Sequence, residues 1–239
     1  MIHASLLEDR AVLALGGAEG SDFLQGLITN DMASCANGQA IYASLLTPQG
    51  KILFDFFVVP EGQDQLLIDC AAARAADLLK RLTLYRLRAK VQIASRPELA
   101  VAALWSHGKD EGSAGTLPGG LVRFADPRAP ALGQRAIAAR DVLARAIGGF
   151  PHGDYHAHRL SLGIPDSADL IPDHVFALDA GLEELNGVSF KKGCYIGQEV
   201  TARMKHRASA RRRFLIAETD GEIPPSGTQV ESGGRCAAA

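Results

Sequence analysis

Cys194 stands in the stretch SFKKGCYIGQEVTARMKHR, residues 189–207, with lysines at 191 and 192 and glycines at 193 and 197. The thiolate is the reactive form of cysteine, and cationic neighbours or a helix N-terminus favour it. QEVTARM has helical period, so the N–H groups at its start favour negative charge beside the cysteine turn. Two readings follow: a reactive or ligand thiol, or a small apolar filler beneath a loop. No histidine and aspartate stand at a spacing that makes a protease-like nucleophile.

The elements that must hold this stretch can be read along the chain. RAVLALGG reads as a strand, and Ser21 as the cap of a short helix, DFLQGLI. AIYASLLTPQGKILFDFFVVP reads as a hairpin, because Pro48 presets φ and Gly50 allows positive φ in the turn TPQGK. QLLIDC continues as a strand, AAARAADLLKRL as a helix and RAKVQIAS as a strand. This β-α-β-β-β-α-β order predicts α+β layers.

LAVAALW opens a second run of strands, followed by the loop SHGKDEGSAGTLPGG. RDVLARAIGGF and GDYHAHRLSLGIP read as helices, the second stopped by Gly163 and Pro165, and LIPDHVFALDAGLEELNGVSF as mostly loop. From Arg212, RRFLIAETDGEIPPSGTQVES reads as strand, turn, strand. That predicts two units, residues 1–210 and a small all-β unit at 211–239.

With 239 residues the chain can bury a sizeable core, and its 47% hydrophobic and 22% charged content is that of a soluble globular protein. No run of about 18 apolar residues predicts a membrane span, and the acids in MIHASLLEDR argue against an export signal. Cys35, Cys70, Cys194 and Cys236 are widely spread without a C-x-x-C pair, which predicts neither a disulfide framework nor a zinc ribbon and fits a reducing cytoplasm. Residues 191–213 hold eight Lys/Arg against Glu199, a segment of +7 in a chain of net −2. Such a stripe suggests a confined anion site or a solvated face, and the acidic remainder argues against a nucleic-acid coat. His152, His156 and His158 place a pair at i,i+4, but no carboxylate or cysteine completes a metal spacing.

KKGCYIGQE resembles the signature of the folate-binding YgfZ family, relatives of the glycine-cleavage aminomethyltransferase. FLQGLITND, TPQGKILFDFFV and HRLSLGIPD resemble the early helix, first hairpin and helix end of the same family, so the likeness runs over about residues 10–215. The resemblance implies two swapped ferredoxin-like halves that bind tetrahydrofolate, followed by a β-barrel, here left incomplete. It also implies support of iron–sulfur enzymes, including enzymes that modify tRNA, rather than classical enzymatic turnover. A folate-dependent one-carbon transferase is the alternative, although aminomethyltransferases lack this cysteine. Cys194 and Lys192 then carry the chemistry, and Tyr155, Asp31, Arg10, Arg159, Gln198 and Glu199 contact the folate, with no resident metal. Bacterial members carry tryptophans where this chain has Arg10 and Tyr155. Tyrosine still stacks on a pterin, and arginine stacks or grips a carboxylate.

Overall fold

The computed structural model describes residues 1–62, 64–106, 121–207 and 212–217, and the short stretches 221–222, 228, 230–232 and 235–238. Two antiparallel sheets dominate. The first contains five strands, β2 (Arg10–Gly16), β3 (Ile41–Leu46), β4 (Ile52–Pro60), β5 (Gln65–Ala71) and β6 (Gln92–Ser95), in the order β3-β4-β5-β2-β6. The second contains β1 (Ile2–Leu6), β7 (Leu99–Ser106), β8 (Val122–Ala125) and β9 (Gln134–Ala139), in the order β1-β7-β9-β8. The chain therefore begins in one sheet and crosses at once to the other, the swap that the resemblance implied.

Strand alternation sorts side chains into layers. On β3 and β4, Tyr42, Leu46, Phe57 and Val59 meet Val101, Trp105 and Ile137 of the second sheet. Ile41, Ala43, Leu45, Phe56 and Val58 point the other way, onto a cluster with Leu24, Leu78 and Leu82 of the helices. These are α1 (Gly20–Gln25), α2 (Ala33–Ala36) and α3 (Ala75–Arg86). α4 (Arg140–Ile147) buries Leu143 against the outer face of the second sheet. Both faces of the central sheet are covered, which is why LFDFFVV reads as a near-continuous apolar run.

Some local expectations change. Ser21 does not cap α1: the cap position is Glu19, and Ser21 lies inside the first turn. The Ala-rich start of the second helix is a 3-10 turn, Ala72–Arg74, and α3 runs on to Arg86. β1 was not legible, because what makes it a strand is β7, about a hundred residues away. α5 (Tyr155–Ser161) ends as expected, with Gly163 at φ 68. Residues 212–217 form no strand, whereas β10 (Val230–Ser232) and β11 (Arg235–Ala238) form a hairpin. Among the described residues no barrel closes. The loop expected at 106–120 lies, beyond Ser106, outside the described residues.

Candidate functional site

The motif loop is laid along the turn that follows α1. Thr29 Oγ1 donates to Gly187 O at 2.6 Å, Asn30 Nδ2 to Asn186 O at 2.7 Å and Ser189 N to Thr29 O at 3.0 Å. Lys192 ends the run. Its Nζ donates to the carbonyls of Gln25, Ile28 and Asn30 at 2.7, 2.7 and 2.8 Å, and lies 5.1 Å from the Tyr195 ring centre. Lys192 and Tyr195 are buried and Cys194 between them is exposed.

Beyond Tyr195 the chain reaches Gly197, at φ 81, which precedes α6 (Gln198–His206). A Cβ on Gly197 would stand 2.6 Å from Thr47 O and 3.1 Å from Gly50 Cα, so the loop rests directly on the TPQGK turn. Gly193 differs: it has no positive φ, and a Cβ there would meet nothing within 4 Å.

Cys35, Cys70 and Cys194 separate by environment. Burial pushes the thiols of Cys35 and Cys70 up to about 12, and Cys194 alone of the three is exposed. Lys192 does not serve Cys194 as a neighbouring cation, because its ammonium is turned inwards and its three donors are spent. Part of the basic stripe is neutralised by ion pairs. Lys205 pairs with Glu183, Arg213 with Glu184 at 3.4 Å and Arg203 with Glu199 at 2.6 Å. The acids come from the preceding loop and from α6 itself, so the segment's charge cannot be read from its own composition. Glu199, expected to contact folate, is thus one half of a surface i,i+4 pair.

Tyr155, Arg10 and Arg159 lie in a buried ionic network between the sheets, not on an open cleft. Arg10 Nε donates to Asp69 Oδ1 at 2.7 Å and its Nη1 to Asp166 Oδ1 at 3.3 Å, while Arg135 Nε donates to Asp69 Oδ2 at 3.0 Å. Arg128 grips Asp126 through Nε at 3.0 Å and Nη2 at 2.8 Å, and reaches the Tyr155 hydroxyl at 3.0 Å. Arg159 Nη1 donates to Asp169 at 2.7 Å. The guanidinium carbons of Arg128 and Arg135 lie 4.9 and 4.4 Å from the Phe57 ring centre.

The network sorts its carboxyls. Burial opposes ionisation of Asp166, but Arg10, Arg128 and Arg135 outweigh it and hold that carboxyl well below its ordinary range. Asp55, also buried, is pushed up by desolvation and by Asp166, and accepts from the Tyr42 hydroxyl at 3.0 Å. Sequence reasoning missed Asp55, Asp69, Asp126, Arg128 and Arg135. A single charge inside an apolar strand, as in ILFDFF and LLIDCA, is the signal that marks two of them. His158 is a core residue, with its ring stacked on Trp105 and Nε2 2.9 Å from Ala131 O. Asp31 accepts from Gln25 Nε2 at 3.1 Å and from Ala33 N at 3.0 Å, contacts that tie the turn between α1 and α2.

Folate, which the resemblance implies, can be tested against the spaces present. The cavity beside Asp55, Cys70 and Ser167 holds about 20 Å³, room for one water and not for a pterin. Two larger clefts flank Phe190. One, of about 420 Å³, includes Tyr195, Gln198 and Lys205 in its wall, and the other, of about 470 Å³, includes Asn30, Ser34, Gln39 and Lys191. Both lie in the range of small-molecule sites, roughly 300–1,000 Å³. An aromatic face, amide and hydroxyl groups and an exposed ammonium suit a flat heterocycle with a carboxylate tail, so the second cleft fits. Of the expected folate contacts Gln198 lines a cleft; Tyr155, Arg10 and Arg159 line neither.

Comparison with known proteins agrees with the architecture. The crystal structure of glycine cleavage system aminomethyltransferase T from Bartonella henselae superposes with a TM-score of 0.68, covering 86% of this chain and 63% of that one at 16% identity, which shows the shared fold. No protein-family model matches the chain. The mitochondrial iron–sulfur cluster assembly factor IBA57 of Mus musculus is 33% identical over 245 residues, 92% of this chain, and that of Homo sapiens 33% over 240 residues. The IBA57 homolog of Neurospora crassa is 32% identical over 244 residues. The chain spans 56% of the Neurospora protein and 67% of the mouse and human ones.

These relatives correct the cytoplasmic location read from the cysteines, since all are named mitochondrial. Scattered unpaired thiols report a reducing surrounding and not which compartment supplies it. At 33% identity over 67% of the mouse and human proteins, the chain belongs to the family of the iron–sulfur cluster assembly factor IBA57.

Proposed function

We propose that this chain is an accessory factor in the assembly or repair of iron–sulfur enzymes, those that modify tRNA among them, with Cys194 as its working thiol. The observation that carries the reading is the contrast among Cys35, Cys70 and Cys194. Cys194 is exposed on a loop held at both ends, and Cys35 and Cys70 are sealed in the core. A thiolate is the soft ligand that iron–sulfur clusters take from proteins, so an exposed, fixed cysteine suits contact with a cluster in transit. The relatives' names, assembly factors throughout, support the same class of work. The test is Cys194→Ser in cells that lack the protein. Iron–sulfur enzyme activities should stay low while the purified variant melts as the wild type does. Full restoration of those activities sinks the reading.

The ligand implied by the fold enters here as tetrahydrofolate in the cleft beside Asn30, with Phe190 as its stacking face and Lys191 facing its carboxylates. Saturating tetrahydrofolate should raise the melting temperature by mass action. Phe190→Ala should remove that shift. If Phe190→Ala keeps the whole shift, the cleft is not the site.

A further inference from the structure

The peptide carrying Cys194 is mounted at two points. On one side Lys192 points inwards. An ammonium has three N–H groups and no acceptor, and those of Lys192 meet three carbonyls of a single turn, Gln25 O, Ile28 O and Asn30 O, all within 2.8 Å. On the other side Gly197 sits with its backbone against Thr47 and Gly50, and Thr201 Oγ1 donates back to Gly197 O at 3.1 Å. Tyr195, between them, is 7% exposed and part of the central core cluster. Cys194 is therefore the outward residue of a short span whose flanking side chains are anchored in the body.

We propose that Lys192 is the positioning residue of Cys194: it locks the motif loop to the Gln25–Asn30 turn, and the Gly197–Gly50 contact holds the loop's far end. The assignment rests on Cys194 being the working thiol, and it departs from the simple reading of KKGC, in which a lysine activates the sulfur by its charge. Two physical points separate the roles. A lysine whose three protons are all committed to carbonyls has none left for a thiolate. Three carbonyls converging on one atom need a point donor, and a planar guanidinium spreads its N–H groups and cannot serve them together. Positioning therefore demands lysine, whereas charge alone would accept arginine.

The experiment compares Lys192→Met and Lys192→Arg in the full chain by amide exchange over residues 190–196, Cys194 alkylation by iodoacetamide, and iron–sulfur enzyme activity in cells. Loss of charge-assisted hydrogen bonds should lower exchange protection about tenfold or more in both variants. Alkylation should be no slower than in the wild type, because a small reagent reaches the thiol from any loop position. Client activity should fall in both. Should Lys192→Arg restore client activity while Lys192→Met does not, or should exchange protection stay unchanged in both, the mount is wrong. If Lys192→Met does not fold, Gly197→Ala loosens the other end and must give the same pattern of lost protection and undiminished alkylation. Cys194→Ser separates the two levels. Normal client activity in that variant overturns the thiol's role, while exchange in the purified Lys192 variants still decides the clamp.

Discussion

Asp69 and Arg135 form an ion pair across the two sheets, Nε to Oδ2 at 3.0 Å, with both side chains closed to solvent. Asp69 also holds Arg10 through its other oxygen at 2.7 Å, so one carboxylate on β5 joins β2 of its own sheet to β9 of the second. Removing one partner of a buried pair strands the others without compensation, at a cost of about 3–5 kcal/mol. Asp69→Ala should show a loss of that size in urea unfolding, and added salt should hardly change it, since buried pairs are little screened. A loss below about 1 kcal/mol, the worth of a surface pair, would mean the network is hydrated.

The two motif glycines should respond differently. Gly197→Ala puts a Cβ 2.6 Å from Thr47 O and forces a side chain into φ 81, so a loss of about 1–3 kcal/mol is expected. Gly193→Ala should stay within about 0.5 kcal/mol, because its Cβ would stand in open space. Thermal melts of both variants decide this, and equal losses would contradict the loop geometry.

Alkylation should single out Cys194. Cys35 and Cys70 are buried, with thiols pushed up to about 12, so at neutral pH they are both inaccessible and un-ionised. Mass mapping after brief exposure to iodoacetamide should find Cys194 labelled at least about tenfold faster than either. Comparable labelling of Cys70 would show that the core opens on the reagent's timescale.

Stability against pH should carry two opposite signs. Burial pulls Lys192 from its ordinary 10.5 down to about 8, with Asp31 working the other way. Between those values the unfolded chain binds more protons, so this group makes stability rise with pH above about 8. Cys35 and Cys70 move from 9.0 up to about 12. Their unfolded thiols ionise first, so the stability they contribute is present below 9 and is lost as pH climbs towards 12. Urea midpoints between about pH 7.5 and about pH 9 should therefore rise in the wild type relative to Lys192→Met. A relative fall in that window would mean that the three carbonyls outweigh desolvation and hold the ammonium charged. Above pH 9 the decline should be shallower in a Cys35→Ala/Cys70→Ala double variant.

Local pattern determined much of this protein. The β-rich runs IYASLL and ILFDFFVV, with Pro48 and Gly50 between, fix the hairpin, because strand propensity and turn chemistry are both short-range. Gly163 ends α5 for the same kind of reason. The motif around Cys194 singled out its loop, but its lysines could not be told apart. Lys192 turns inwards and Lys191 outwards only because three carbonyls 162 to 167 residues away converge on one and not on the other. Tyr155 and Arg10 looked like ligand contacts, and the tertiary structure spent them on Arg128 and Asp69. The same holds for β1, which is a strand only beside β7, and for the basic stripe, whose neutralising acids at 183 and 184 arrive by packing. Sequence fixes what depends on neighbours a few residues apart. Which buried charge meets which, and hence which side chains remain free to act, follows only from bringing distant strands together.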